Sequence, residues 1–361
     1  MSRHAVAVFP VSGGCVPLFF ASDNSSGVAP QILDAIVAAN AGYTSGYGAD
    51  ALTKRVEARL SEMFEREVTA FLVATGSSAN GLALSVLTPP YGVVYCHDHA
   101  HIQVDEAGAP EFYTGGAKLW PLPGEAGRID PAALDHVLTY LQRGNVHNPQ
   151  PAVLSLTQVT EWGTVYSLDR IRALTDRAKA AGMAVHMDGA RFANAVAALG
   201  CTPAEMTWKA GVDAVVVGGT KNGCMGVEAV VFFDKTKAAD FAFRRKRGGH
   251  LFSKMRFLAA QMDAYLEGGL WQDLATTANA RAARLARGLE GAGVRFAAPV
   301  EANEVFALME QKEADALRAA GAVFYDWPFG AKVRRFVTSF ATREEDVDAL
   351  VAEVRRMRKA A

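Results

Sequence analysis

The chain has 361 residues, half of them apolar, and 37 Lys+Arg against 38 Asp+Glu give it a formal net charge of −1. That length suits two domains, or one large domain with an appendage, around a sizeable core. Near-neutral charge argues against a nucleic acid or an acidic membrane as partner, because neither field meets a basic surface.

One local exception is Arg244-Arg245-Lys246-Arg247, which reads as a solvated helix face in preference to a dedicated anion site. The four cysteines, Cys15, Cys96, Cys201 and Cys224, are scattered and show no CxxC spacing for zinc or redox chemistry. Such sparse cysteine fits a reducing cytoplasm. No apolar run reaches the roughly 18 residues needed to span a bilayer. Arg3 and the run Ala5-Val6-Ala7-Val8-Phe9 faintly resemble a signal peptide, but Pro10, Gly13, Gly14 and Pro17 interrupt the run. Residues 1–18 therefore read as an N-terminal extension ahead of a cytoplasmic body.

In chain order, short apolar runs alternate with helical stretches. Strands are expected over 68–73, 92–96, 118–122, 152–156, 184–187, 213–217 and 226–233. Several are continuously apolar, as in a sheet covered on both faces. Helices are expected over 77–87, 131–142 and 168–180, the last with Ser167 as N-cap and Gly182 past its end. Alternation of this kind implies an α/β domain with a mostly parallel sheet. After residue 233 the pattern changes. Long helices over 238–247, 254–266 and 271–291 precede short strands over 294–296, 304–309, 322–325 and 333–339, and a final helix over 344–358. The boundary of this smaller α+β unit is placed near residue 250.

Three segments carry chemistry. In Ala184-Val185-His186-Met187-Asp188-Gly189-Ala190-Arg191 an apolar strand runs into an acid and a cation. The carboxyl ends of parallel strands face the ligand crevice, so Asp188 belongs at the mouth of a site. It would equally cap a helix beginning near Arg191. In Ala214-Val215-Val216-Val217-Gly218-Gly219-Thr220-Lys221 another strand ends in glycines and a lysine. Such a lysine is usually a surface residue, but at a buried strand end it can lose its proton and attack an aldehyde. The glycines would let a ring approach the backbone. In Val73-Ala74-Thr75-Gly76-Ser77-Ser78-Ala79-Asn80 a strand opens a helix whose N-terminus suits a phosphate or a plain N-cap at Ser77.

The three together are more specific than any one. A phosphate cradle, then an acid, then a lysine is the order a pyridoxal 5'-phosphate (PLP) site requires. The helix end takes the phosphate, the carboxylate keeps the ring nitrogen protonated, and the lysine forms a Schiff base with the aldehyde. No GxGxxG opens a helix after the first strand, which weighs against a nucleotide-binding oxidoreductase. The spacing His97-Asp98-His99-Ala100-His101 invites a metal reading, but no fourth ligand is evident and no metal is expected.

The sequence resembles the L-threonine aldolase family, of the low-specificity, L-allo-threonine or phenylserine type, within the aspartate-aminotransferase-like superfold (PLP fold type I). The matching stretches run from Phe20-Ala21-Ser22-Asp23-Asn24 through Gly46-Tyr47-Gly48-Ala49-Asp50, the Thr75 to Asn80 loop, His101, Asp188 to Arg191 and Lys221, to Arg335-Phe336-Val337-Thr338. The resemblance implies a large PLP-binding domain over 19–250, with a mostly parallel seven-stranded sheet, and a small α+β domain over 251–361. It further implies phosphate on Gly76 and Ser77, His101 stacked on the ring, Asp188 on the ring nitrogen and Lys221 as the covalent anchor. Arg191 would contact the ring hydroxyl and the substrate carboxylate, and Ser22 and Arg335 would complete the carboxylate clamp. The planar fork of an arginine suits the two oxygens of a carboxylate.

Tyr47 would reach a neighbouring subunit's site. Arg247 and Lys254 are open between a neighbour's phosphate and a surface role. The family often places a histidine where this chain has Glu161, in Thr160-Glu161-Trp162-Gly163. The base for the substrate hydroxyl is therefore open among Glu161, His101 and an ordered water. The implied reaction is retro-aldol cleavage of L-threonine, L-allo-threonine or related β-hydroxy-α-amino acids to glycine and an aldehyde. A β-eliminating lyase or an aminotransferase on the same scaffold is the alternative. The implied assembly is a homodimer at least, and a homotetramer in the fuller form.

Overall fold

The computed structural model describes residues 18–141 and 143–359. Apart from Leu18, the expected N-terminal extension lies outside these residues. Its strands, numbered along the chain, are β1 Leu18–Phe19, β2 Thr69–Val73, β3 Gly92–His97, β4 Lys118–Leu122, β5 Gln150–Thr157, β6 Ala184–Asp188 and β7 Ala214–Gly218. They continue with β8 Glu228–Phe232, β9 Arg295–Phe296, β10 Glu304–Leu308, β11 Ala322–Val323, β12 Tyr325–Asp326 and β13 Val333–Val337.

Seven strands form one sheet in the order β2-β8-β7-β6-β5-β3-β4. The run from β7 to β4 is parallel, and β8 lies antiparallel to both β2 and β7. All seven match strands expected from the sequence. Every residue of β3, β7 and β8 is buried, which is why these strands read as unbroken apolar runs. Reversal of β8 matters for the site. Its first residue, Glu228, pairs with Gly218 and stands at the same edge as the last residues of β2, β6 and β7.

Interlocked backbones join two loops at that edge. The Gly218 N–H donates to the Gly189 carbonyl at 3.0 Å. A Cβ on Gly189 would fall 2.1 Å from the Val216 carbonyl oxygen, and one on Gly218 would fall 2.5 Å from that of Ala190. These glycines therefore close the protein onto itself.

The smaller sheet runs β12-β13-β10-β9, all antiparallel, and β1 pairs with β11 alongside it. The sequence places the change of unit near residue 250. By packing it comes later. Met255, Leu258, Met262, Trp271 and Ala275 belong to the first core, while Ala282, Leu285 and Leu289 belong to the second with Phe20, Val305 and Phe336. One helix, Leu270–Glu290, crosses from one core to the other. Phe20 belongs to the smaller unit, where its N–H donates to Val323 and its carbonyl accepts from Val337. That anchorage carries Ser22 and Asp23 to the edge of the large sheet.

Candidate functional site

The tip of helix Gly76–Leu87 lies at this edge. Thr75 is its N-cap, with its hydroxyl oxygen accepting from the Ser78 N–H at 3.3 Å. The first N–H groups of any helix lack partners within it. A Cβ on Gly76 would meet no heavy atom within 4 Å, so the tip is open to an approaching group. Ser77 follows it, half-buried, and the cap is Thr75 where the sequence offered Ser77.

Asp188, the last residue of β6, is buried. Its Oδ1 accepts from the Ala190 N–H at 3.0 Å and its Oδ2 from Asn80 Nδ2 at 3.0 Å. Asn80 Nδ2 also donates to Glu106 Oε1 at 2.9 Å, and that same oxygen lies 2.8 Å from His101 Nδ1. A continuous chain thus joins the imidazole to the strand-end acid. Burial works to lower the His101 pKa, but the bond to Glu106, with Glu161 and Asp188 nearby, outweighs it and raises the net value above 6.5.

Lys221 follows β7 on a single 3-10 turn, Thr220–Asn222. Its charge acts on Asp23, His101, Glu161 and Glu228, which places the ammonium among them. Among the described residues it makes no hydrogen bond or ion pair. Below it, buried Glu228 accepts from the Gly219 N–H at 2.9 Å. Burial pushes the Glu228 carboxyl up to about 7. Burial also raises that of Glu161, against the opposing effects of His101, Lys221 and Arg191.

A second cluster holds the arginines. Arg191 Nε and Nη2 donate to the two oxygens of Asp23, at 2.7 and 3.0 Å. Arg335 Nε and Nη2 both donate to Glu304 Oε1, at 2.9 and 2.6 Å. Glu304 Oε2 lies 3.3 Å from Arg191 Nη1. Asn303 Nδ2 donates to Asp23 at 3.1 Å. The forks expected to bind a carboxylate are therefore already engaged with Asp23 and Glu304. Each guanidinium leaves only Nη1 outside those bidentate edges. The Ser22 hydroxyl oxygen accepts from the Asn24 N–H at 3.2 Å, beside Asp23.

His97 and His99 make no hydrogen bond to either cluster among the described residues. His97 Nδ1 accepts from the His99 N–H at 3.0 Å while its Nε2 bonds the Gly124 carbonyl at 3.1 Å. His99 Nδ1 accepts from the Trp162 indole at 2.8 Å, and the ring stacks on Phe329 at 4.0 Å. The ligand atoms of His97, Asp98 and His99 come within 4.8 Å of one another. With both His97 nitrogens engaged, however, the imidazole has no lone pair left to give a metal.

Tyr47 makes no hydrogen bond or ring contact with either cluster among the described residues. It is 56% exposed with φ +57, its N–H donates to Ser253, and Lys246 lies over its ring at 5.1 Å. Arg247 and Lys254 are exposed. The basic run is not uniformly solvated, since Arg245 turns inward against Phe71 and donates to the Leu72 carbonyl. Burial lowers its pKa to about 10.

Sequence reasoning assigned no role to Asp23, Asn80, Glu106, Glu228 or Glu304. The last two could have been found, because each is an acid opening an apolar strand. The rule that found Asp188 looks at where strands end, whereas these strands begin with the acid.

An unpaired lysine among a buried carboxylate, an imidazole and an open helix tip is the donor set that pyridoxal phosphate needs. Comparison with known proteins agrees. A family model described as beta-eliminating lyase matches residues 20–312. The low specificity L-threonine aldolase of Pseudomonas sp. (strain NCIMB 10558) is 43% identical over 94% of this chain and 98% of its own. That of Pseudomonas aeruginosa is 44% identical over 93% and 96%. The chain belongs to the beta-eliminating lyase family, among its threonine aldolases.

A solved threonine aldolase structure from Leishmania major superposes with a TM-score of 0.89 at 27% identity, covering 95% of this chain and all of that one. The serine palmitoyltransferase of Sphingomonas wittichii shares the fold at a TM-score of 0.72 and 17% identity. The protein is thus a carbon–carbon lyase of PLP fold type I, with pyridoxal 5'-phosphate as its cofactor. No helix among the described residues is long and apolar enough to cross a membrane.

Proposed function

We propose that the protein cleaves L-threonine, L-allo-threonine or a related β-hydroxy-α-amino acid to glycine and an aldehyde. The observation that carries this reading is the placement of Lys221, without a partner, between the Asp188 chain and the paired arginines. In this reading Lys221 holds the cofactor covalently, the Gly76 and Ser77 N–H groups take its phosphate, and Asp188 accepts a hydrogen bond from the ring nitrogen. His101 faces the ring, positioned by Glu106. Pyridoxal phosphate supplies an electron sink for the pair released when Cα–Cβ breaks.

The chain's own residues do the rest. Arg191 and Arg335, through Nη1, and Ser22 hold the α-carboxylate, which orients the bond that breaks. A base removes the β-hydroxyl proton, the aldehyde departs, and a proton returned to Cα gives glycine. Glu161 suits the base role best. An acid whose pKa burial raises approaches the working pH, where a general base is most effective. His101, drawn toward its protonated form by Glu106, is the poorer acceptor. Tyr47 and the exposed Arg247 and Lys254 would serve a neighbouring copy's site in a dimer or tetramer within the cytoplasm.

Identification of the products from L-threonine and from L-allo-threonine tests the reaction. Glycine with acetaldehyde is the expected result, and 2-oxobutyrate with ammonia would instead make the enzyme a β-eliminating lyase. The base is tested separately by Glu161→Gln. Cleavage should fall while exchange of the glycine α-proton with solvent, which needs no hydroxyl base, continues. Equal loss of both would remove Glu161 from that role.

A further inference from the structure

We infer that Glu304 is a positioning residue that competes with the substrate's α-carboxylate for Arg191 and Arg335, and so sets how tightly the site holds an amino acid. The inference rests on reading those arginines as the carboxylate clamp.

The cluster is charge-balanced as it stands. Arg191 pairs with both Asp23 and Glu304, and Arg335 pairs with Glu304. An amino acid adds a further negative charge to this enclosed group. The two acids are held differently. Asp23 takes the bidentate edge of Arg191 and a third bond from Asn303. Glu304 is fully buried, yet it uses only Oε1 for hydrogen bonds, while Oε2 has no hydrogen-bond partner although it lies 3.3 Å from Arg191 Nη1. An unsatisfied carboxylate oxygen aimed at one clamp arginine, on a side chain that grips the other, is what a competitor for both would present.

The backbone beneath Glu304 cannot yield. Glu304 pairs with Val337 in the small sheet, and a Cβ on Gly163 would lie 2.9 Å from the Glu304 Cβ. Only the side chain can give way to a ligand. If it stays, its charge opposes the incoming carboxylate; if it swings aside, its bonds to Arg335 are lost. In either case Glu304 lowers affinity for every ligand bearing that carboxylate. Glycine, the product, has little else to bind with, so its release gains most. A glutamate with a merely structural role would have the opposite signature, since its loss would loosen the clamp and weaken binding.

The test is the calorimetric dissociation constant of glycine for the holoenzyme, with a thermal melt to verify folding. Glu304→Gln keeps an acceptor for Arg335 and removes the charge, so glycine should bind at least about tenfold more tightly, the scale of one unit charge about 3 Å away even at the dielectric of bulk water. Arg335→Gln should weaken glycine, and Glu304→Gln added to it should restore part of the loss. This second pair decides the matter if the single Glu304 variant does not fold. Unchanged or weaker glycine binding on loss of the Glu304 charge overturns the inference while leaving the clamp intact. Unchanged binding in Arg335→Gln overturns the clamp reading itself.

Discussion

Two buried polar clusters flank Lys221, and they are built on opposite principles. The chain His101–Glu106–Asn80–Asp188 is linear, and a neutral amide relays between two carboxylates. It presents one acid at the end of a parallel strand, to a single direction. The group Asp23–Arg191–Glu304–Arg335 is instead a series of ion pairs, with each arginine bound edge-on to a carboxylate and little left pointing outward. The first arrangement suits a permanent guest, because a fixed acid can keep a ring nitrogen protonated indefinitely. The second suits a guest that comes and goes, because charges already balanced bind a further anion weakly. Residue type alone would suggest two anchors of equal firmness. Their hydrogen bonds say otherwise.

Variants on the two sides should therefore fail differently. Asp188→Asn should lower kcat about 10²- to 10³-fold, the range for losing one preorganised electrostatic contact at a reacting group. A change confined to KM would mean that Asp188 does not act on the reacting ring. Arg335→Gln should mainly raise KM, by about 30- to 100-fold, the equivalent of a charge-assisted bond of about 2–3 kcal/mol. Steady-state kinetics on L-threonine separate the two cases.

A smaller effect is spectroscopic. The folded His101 pKa is raised above 6.5 on balance, so its contribution to stability is complete below that value and fades as pH rises through the folded one. Glu106→Gln should bring the NMR titration of His101 down. An unmoved titration would mean that Glu106 does not govern the ring.

The smallest concerns Glu228, whose pKa rises from 4.5 to about 7 through burial. Between those values the folded chain holds a proton that the unfolded chain has lost, so this group makes stability fall as pH rises. Glu228→Gln should flatten that decline, by about 1.4 kcal/mol for each pKa unit removed. An equally steep decline in the variant would clear Glu228.

Much of this was legible in the sequence, for physical reasons particular to each part. The central strands are buried on both faces, so their apolar runs mark them directly. The helix Leu168–Ala180 begins and ends where Ser167 and Gly182 place it. Helices Pro30–Ala39 and Ala51–Met63 are not legible in this way. The first leaves Leu33 and Val37 exposed and buries Ile32, and the second is charged and buries only Val56 and Leu60.

The expected strand over 322–325 divides between two sheets, with Ala322–Val323 pairing to the N-terminal segment and Tyr325–Asp326 to β13. At the site, Asp188 and Lys221 obey the rule that parallel strands end at the crevice. Glu228 and Glu304 come from antiparallel strands, and Asp23 from a segment pinned across the small domain. The two glutamates can each be read at the start of an apolar strand, but no local pattern reveals that these residues meet. The glycines beside Lys221 looked permissive for a ligand, yet they are required by their own neighbours.

Both clusters converge on Lys221. Borohydride reduction of the holoenzyme, followed by proteolysis and mass spectrometry, would locate the lysine joined to the cofactor. The mass of the reduced cofactor should appear on the peptide containing Lys221 and be absent from Lys221→Ala. Its presence on a different lysine, or its persistence in that variant, would contradict the placement of the cofactor between the two clusters.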